Sequence, residues 1–301
     1  MFNVTFRKGL MLLCAGLLTL TGCGLFTNDL PPATTVSWIY WTDSTSGKIQ
    51  RAPLNGVGVE DVVLGLNQPL GLDIDTQEGR LYWVDGIDAG VGAIKTALLN
   101  GAAPTTLYAG VISPFSLVVD PARGHLYWSS KRRGDGRIQR ASLADPLIED
   151  VVTGLSDPGY LALDVGGGWL YWVEEGEGRI LRTHVESGET ERLIAGLKGP
   201  AGLTLDPDAG HLYWWDHVTE NIWRADLDGA NANVLFAGPE FRSFEPGPLV
   251  FDKAGRYLYW PKVNTFEDQG MIRRIHVDGG EPEDVVTGAI ASPFGLALVQ
   301  P

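Results

Sequence analysis

The sequence is poor in cysteine, in basic residues and in long apolar runs. Its two cysteines, Cys14 and Cys23, both lie near the N-terminus, so no disulfide is predicted in the rest of the chain. Lysine and arginine number 23 against 37 acidic residues, a net charge of −14, which disfavours nucleic acid and anionic lipid headgroups as partners. Beyond the N-terminal segment no run of 18 apolar residues occurs, so no membrane-spanning helix is predicted there.

The N-terminal segment is organised like an export signal. Arg7 and Lys8 precede an apolar run that is too short for a spanning helix, and residues 1–22 are predicted to be removed. The segment ending in Gly22-Cys23 (LTGC) resembles a bacterial lipobox, which implies cleavage before Cys23 and a lipid on its thiol. Residues 23–36 would then form a tether, and the loss of two basic residues would change the net charge from −14 to −16. By analogy with lipoprotein sorting, Gly24 favours the outer membrane if the source is Gram-negative.

The remainder of the sequence, residues 37–301, contains a sixfold internal repeat. A Tyr-Trp pair recurs with spacings of 42, 45, 44, 42 and 46 residues, at Tyr40, Tyr82, Tyr127, Tyr171, Tyr213 and Tyr259. This is the pitch of a propeller blade of four strands. Clusters of Gly, Pro, Asn and Asp divide each repeat into four short extended runs, as in all-β proteins. The sequence therefore predicts an all-β fold, a six-bladed β-propeller of four-stranded antiparallel blades.

Two features of the repeat predict a closed ring. Adjacent residues of a strand point to opposite faces, so each Tyr-Trp pair places a large ring on both faces, and radially stacked blades cover both. The repeats begin with a second strand, at Trp38, and end with a first strand over residues 293–299. We therefore expect the C-terminal strand to pair with the N-terminal blade and remove the open edges.

The repeats resemble the YWTD repeats, the class B repeats of the low-density lipoprotein receptor family, which form six-bladed propellers. The motif is intact once, over residues 40–43, and an Ile-x-Arg element follows it with Arg51, Arg140, Arg182, Arg224 and Arg274. We expect cross-strand pairs between Asp43 and Arg51 and between Asp216 and Arg224. The resemblance implies a rigid protein-interaction module. The cysteine-rich modules of the receptor relatives are missing, which argues against endocytic receptor function.

Motifs of catalytic and metal sites are also missing from the sequence. It has no Gly-x-Ser-x-Gly elbow, no His-Glu-x-x-His pair and no phosphate-binding loop, so no cofactor is predicted. The acids that end the first strands are interpreted as turn residues rather than ligands: Asp75, Asp120, Asp164, Asp206 and Asp252. Arg133-Gly134-Asp135 is interpreted as a chance match to an adhesion tripeptide.

Connections of variable length share one face of the predicted propeller, where the second strand leads to the third and the fourth leads to the next blade. Aromatic and basic residues on this face form the candidate binding surface. They are Phe115, Tyr160, Phe294, Phe241, Phe244, Arg132, Arg133 and His217. The alternative, that the rings only plug the axial channel, has equal support. The tether would leave from the opposite face.

Together these features predict a non-enzymatic, lipid-anchored propeller that binds a protein or glycan in the bacterial cell envelope. The membrane would be reached through the lipid on Cys23 alone, and a monomer is expected. The alternative is a metal-dependent propeller enzyme of the lactonase-like or lyase-like type, with its site at the channel mouth. A third possibility is a structural part of an envelope assembly machine.

Overall fold

The computed structural model describes residues 37–88, 90–132, 134–237, 247–264, 269–288 and 290–300. Within these ranges, 24 strands form six antiparallel sheets of four strands each. The strands are short because the repeated Gly, Asn and Asp residues turn the chain every few positions. The predicted six-bladed β-propeller is confirmed.

Each blade is a sheet whose first strand lies at the channel and whose fourth strand lies at the outer edge. Blade 1 contains, from the channel outwards, β24 (Pro293–Val299), β1 (Trp38–Asp43), β2 (Lys48–Pro53) and β3 (Glu60–Leu64). Blade 2 contains β4 (Leu72–Asp75), β5 (Arg80–Asp88), β6 (Val91–Leu98) and β7 (Thr105–Ile112). Blade 3 contains β8 (Pro114–Asp120), β9 (His125–Ser130), β10 (Gly136–Ser142) and β11 (Asp145–Leu155).

The remaining blades follow the same order. Blade 4 contains β12 (Pro158–Asp164), β13 (Trp169–Glu174), β14 (Arg179–His184) and β15 (Thr190–Ala195), with a 3₁₀ turn at Glu175–Glu177. Blade 5 contains β16 (Pro200–Asp206), β17 (His211–Asp216), β18 (Asn221–Asp226) and β19 (Asn233–Ala237). Blade 6 contains β20 (Val250–Asp252), β21 (Tyr257–Asn264), β22 (Gln269–His276) and β23 (Glu283–Thr287). Across the described ranges, no helix has the length and apolarity needed to cross a membrane.

The ring is closed by its two ends, as predicted. β24 pairs with β1 in antiparallel register, so that Trp38 lies opposite Val299 and Tyr40 lies opposite Ala297. The first strands also contact one another in sequence around the axis, from β4 through β8, β12, β16 and β20 to β24 and back to β4. The first strands therefore form a continuous wall around the axial channel.

The Tyr-Trp pairs form the core between blades. The tyrosine of each pair shares a buried cluster with the tryptophan of the next blade, as Tyr40 does with Trp83. Tyr259 of blade 6 shares one with Trp41 of blade 1, so the closing interface is built like the other five. All twelve rings are at most 3% exposed. Burial on both faces, expected from the adjacency of the two rings, is confirmed.

The predicted pairing of acids with arginines is wrong. In the β1–β2 register Arg51 lies opposite Tyr40, whereas Asp43 lies opposite Lys48. Positions three apart point to opposite faces of a strand, so Asp43 and Arg51 cannot meet. The carboxylate of Asp43 instead accepts hydrogen bonds from the backbone N–H groups of Ser46 (2.9 Å) and Ala291 (2.8 Å).

Asp216 and Arg224 differ from expectation in the same way. Arg224 lies opposite Tyr213 in the β17–β18 register. The Asp216 carboxylate accepts backbone N–H groups of Lys198 and Gly199, both at 3.1 Å, from the loop that enters blade 5. Glu174 accepts the Ser156 N–H at 2.6 Å in blade 4. The acid at the end of the second strand thus anchors the inter-blade loop.

The arginines connect neighbouring blades. The guanidinium of Arg182 donates to the Tyr171 hydroxyl and to the Leu227 carbonyl of the next blade, each at 3.2 Å, and pairs with Glu191. It also lies 4.3 Å from the centre of the Trp169 ring. Arg140 likewise reaches a carbonyl of the next blade, that of Val185, at 3.0 Å. These contacts span the blade interface outside the aromatic core.

Candidate functional site

Three predicted aromatic residues meet at one end of the channel. Phe115 of β8, Tyr160 of β12 and Phe294 of β24 have ring centres 5.0 Å (Phe115 to Tyr160), 5.4 Å (Phe115 to Phe294) and 6.3 Å (Tyr160 to Phe294) apart. Phe115 meets the other two rings edge to face, an arrangement that aromatic quadrupoles favour. We call these three rings the aromatic plug. They lie towards the face that carries the β1–β2 and β9–β10 turns, called the upper face.

Burial differs within the plug. Tyr160 is 3% and Phe294 is 8% exposed, and both belong to the buried cluster between blades 4 and 5. Phe115 is partly exposed and packs against that cluster. Tyr160 and Phe294 therefore fit the channel-plugging alternative, whereas Phe115 keeps surface that a partner can contact.

The inner strands approach one another closely just below the plug. The backbone N–H of Gly71 donates to the Phe115 carbonyl at 3.1 Å, which links blade 2 to blade 3. A Cβ at Gly71 would lie 2.6 Å from that carbonyl oxygen, closer than side chains come to backbone. Glycine is therefore required at this position by the close approach of β4 and β8.

A lysine covers the exposed part of the plug. The Nζ atom of Lys131 lies 4.6 Å from the centre of the Phe115 ring, within range for a cation–π interaction. The same atom lies 2.9 Å from Oε2 of Glu175 and 4.0 Å from Oδ1 of Asp157. The Lys131 side chain is 24% exposed. The plug is thus bordered by an ammonium group that the carboxylates of Glu175 and Asp157 hold in place.

A groove of about 780 Å³ on the upper face begins at these residues and is called the upper groove. The β1–β2 turn (residues 44–47) and the loop before β4 (residues 66–68) form its other walls, together with Leu70, Phe115, Lys131 and Phe294. Its side chains offer hydroxyl and amide groups beside apolar rings. The sequence prediction missed the turn and the loop, although both belong to the connections that the predicted topology assigns to this face.

The other predicted residues lie elsewhere. The Arg132 side chain is 58% exposed, and its Nη1 atom lies 3.6 Å from Oδ2 of Asp135. It lines a separate cavity of about 250 Å³ with Ile112 and Ile148, between blades 2 and 3. His217 is exposed on the β17–β18 turn, with its ring 6.3 Å from that of Trp215. Cys23, Arg133, Phe241 and Phe244 lie outside the described residues.

The acids at the ends of the first strands act as turn residues, as interpreted from the sequence. Asp75 accepts the backbone N–H of Gln77 at 2.8 Å, and Asp120 accepts that of Arg123 at 3.2 Å. Asp164, Asp206 and Asp252 make equivalent bonds. Among the residues that the structure describes, no three His, Cys, Asp or Glu side chains come together as metal ligands would.

A second cavity, of about 420 Å³, occupies the axial channel on the other side of the plug. Tyr160 lines its upper end, and Pro121, Val165 and Pro207, which follow first strands, line its lower end. One carboxyl group, that of Asp73 on β4, also lines it. Burial raises the pKa of Asp73 from 3.8 to about 6, against the opposing effect of hydrogen bonds from the Val119 and Ile74 N–H groups.

Solved structures share this fold, although no protein-family model and no curated protein sequence matches the chain. One chain of a crystal structure of a nidogen/laminin complex superposes with a TM-score of 0.75 at 21% identity, over 87% of this chain and 98% of that one. TolB from Acinetobacter baumannii superposes with a TM-score of 0.70 at 13% identity, over 90% of this chain and 68% of TolB. A protein from Lactobacillus plantarum gives a TM-score of 0.59 at 13% identity, over 89% and 100%. At these identities the similarity concerns the fold alone.

Proposed function

We propose that this chain is a YWTD-type propeller that binds a protein or glycan partner in the bacterial cell envelope through the upper groove. The observation that carries the proposal is the contact of the partly exposed Phe115 ring with the Lys131 ammonium at 4.6 Å. Partly exposed aromatic rings such as that of Phe115 are enriched at the centre of protein interfaces. By analogy with the propeller of the same fold in the nidogen/laminin complex, we take a protein as the first candidate partner.

The groove chemistry supports binding rather than catalysis. Its described side chains are two aromatic rings, two leucines, an ammonium, hydroxyls and amides. A metal-dependent hydrolase or lyase needs several carboxylate or imidazole ligands at one point. Metal analysis of the purified protein tests this part of the proposal. A tightly bound divalent ion in a one-to-one ratio would contradict it and favour the enzyme.

Site-specific photo-crosslinking tests which face binds. A photoreactive residue replaces Gln68, which is exposed at the upper groove, or Gln77, which is exposed on the opposite face of the same blade. We expect a defined crosslinked partner from position 68 and none from position 77, and Phe115→Ala should weaken the crosslink at position 68. Equal products from both positions, or none from either, would contradict the proposed binding face.

We also propose that a lipid on Cys23 anchors the propeller, in a bacterial envelope and in the outer membrane if the source is Gram-negative. The lipobox-like segment before Cys23 and the basic residues Arg7 and Lys8 support this. The test is membrane fractionation and intact-mass measurement of the expressed protein and of Cys23→Ser. We expect a lipid mass on the parent protein only and release of the variant from membranes. A parent protein without added lipid mass would contradict the anchor while leaving the propeller's binding function intact.

A further inference from the structure

The channel carboxyl group stands at a repeat position where no other blade has an acid. Aligning the six first strands on their leucine places Asp73 with Val118, Ala162, Thr204, Val250 and Ala297. All six residues line the same channel cavity. One blade of six therefore presents a negative charge to a channel whose wall at this level is otherwise apolar, apart from one hydroxyl group.

A structural role does not account for this charge. The Oδ2 atom of Asp73 accepts the Val119 N–H at 2.8 Å, which ties blade 2 to blade 3. The next pair of blades is tied in the same way by a neutral group, since Oγ of Ser116 accepts the Leu161 N–H at 3.2 Å. A carboxylate has about four acceptor positions, and the described protein groups use two of them, the second for the Ile74 N–H.

Among the described residues, no cationic side chain pairs with the Asp73 carboxylate. The lining of the cavity contains no lysine, arginine or histidine among the described residues, and its other ionisable group is the Tyr160 phenol. Asp75, on the same strand, adds negative potential. Arg123 follows β8 near the lower end but binds Asp120, Glu186 and the Val165 carbonyl. Asp73 is partly exposed to the channel, and a partly desolvated carboxylate with no cation costs free energy that a cationic ligand would offset.

We propose that the channel binds a small organic cation, an apolar amine whose ammonium group contacts Asp73 and whose hydrocarbon part packs against Val118, Ala162 and Val250. The volume of about 420 Å³ falls within the usual range for small-molecule sites. One carboxylate among mostly apolar side chains at its level of the channel suits an alkylammonium ion better than Ca²⁺ or Mg²⁺, which require several oxygen ligands. The ligand enters from the lower end, because the aromatic plug lies at the other, so this site is separate from the upper groove.

Calorimetric titration of the purified protein with hexylammonium tests the proposal, with 1-hexanol as the neutral probe. We expect hexylammonium to bind about tenfold more tightly at pH 7 than at pH 5, because only the ionised carboxylate attracts it and the ionised fraction rises about tenfold around a pKa of about 6. Hexanol should bind more weakly, with no such pH dependence. Asp73→Asn should lower hexylammonium affinity at pH 7 at least tenfold.

Glu78→Gln is the matched control, because it removes one acid from the exposed turn after β4 without changing the channel. It should bind hexylammonium like the parent protein. The proposal is overturned if the parent does not bind hexylammonium, if hexanol binds equally well, or if Glu78→Gln weakens binding as much as Asp73→Asn does. Binding of Mg²⁺ or Ca²⁺ in place of the amine would also overturn it. The pH series on the parent protein decides the matter even if Asp73→Asn does not fold.

Discussion

The second strands and the first strands of the propeller use the repeat in different ways. At the Tyr-Trp positions of the second strands all six blades carry the same residues, and all twelve rings are buried between blades. At the channel-lining position of the first strands five blades carry Val, Ala or Thr and one carries Asp73. Uniform positions therefore build the interfaces, whereas a position that departs from the repeat in one blade introduces chemistry that packing does not require.

The largest expected loss of stability comes from disrupting the blade interfaces, which the repeated residues build. Removing residues 293–301 deletes β24, which closes the ring and buries Phe294, Leu296 and Ala297. Each large apolar side chain contributes roughly 1.5–3 kcal/mol on burial, against roughly 5–15 kcal/mol for the stability of a whole domain. We expect circular dichroism and urea titration to show no cooperative unfolding transition. A truncated chain that unfolds cooperatively near the parent midpoint would show that closure is dispensable.

Removing one aromatic side chain of a Tyr-Trp pair should cause the next largest loss of stability. Trp172 is fully buried in the cluster that also contains Tyr127. Trp172→Ala is expected to lower the free energy of unfolding by about 3–5 kcal/mol through lost burial and a cavity. Val218→Ala, at a side chain that is 58% exposed, should change it by less than about 0.5 kcal/mol. Urea unfolding of both variants measures the difference, and similar losses would contradict the assigned burial.

At Asp73, the position that departs from the repeat, the expected effect on the free energy of unfolding depends on pH. Because the pKa of Asp73 is about 6 in the folded protein and 3.8 in the unfolded chain, the folded state binds the extra proton between these values. The stability contributed by this group is therefore present at low pH and lost as the pH rises through 6. When the pH is lowered from 7 to 4, the free energy of unfolding of the parent should rise by roughly 2 kcal/mol relative to that of Asp73→Asn, at about 1.4 kcal/mol per pKa unit. A constant difference, or one of opposite sign, would contradict this.

The arginines that connect blades should have a smaller effect. Arg182→Ala removes the bonds to Tyr171 and Leu227 and the contact with the Trp169 ring, and should cost about 1–2 kcal/mol in urea unfolding. Lys253→Ala is the matched control, since its pairing with Asp208 is exposed on both sides and should contribute little. Equal effects of the two substitutions would show that Arg182 does not connect the blades energetically.

The smallest expected effect on stability is at the upper groove. Lys131→Gln should lower the free energy of unfolding by less than about 1 kcal/mol, because the Lys131–Glu175 pair is partly exposed. The same variant should weaken crosslinking from position 68 several-fold, since the charge beside Phe115 is lost. Unchanged crosslinking in a normally folded variant would remove Lys131 from the proposed binding surface.

Much of the fold followed from the sequence, because each blade repeats one local pattern. The spacing of the Tyr-Trp pairs predicted the blades, and the phase of the first and last repeats predicted the β24–β1 pairing. The acid–arginine pairs were mispredicted because the register, which decides which residues share a face, is not encoded in the motif. Asp43 and Arg51 are separated by the three-residue offset that this register imposes.

The candidate site was less accessible to sequence reasoning. Topology brought Phe115, Tyr160 and Phe294 to one end of the channel, but the burial of the last two depends on how closely the inner strands approach across the axis. The distance between these strands is set by the packing of all six blades around the axis, which no single repeat encodes. Asp73 could have been found by comparing the six first strands position by position, since the other five residues at its level are Val, Ala or Thr.

The most direct test of the contrast between uniform and exceptional positions is the pKa of Asp73, measured by carbon-13 NMR of the carboxyl group in the native protein. Asp61 serves as an internal reference, because hydrogen bonds from Lys48 and Gln50 hold its pKa below 3.8. We predict that Asp73 titrates at about 6 while Asp61 titrates below 3.8. A pKa for Asp73 at or below 3.8 would mean that its carboxylate is already well stabilised in the channel, and would contradict the account.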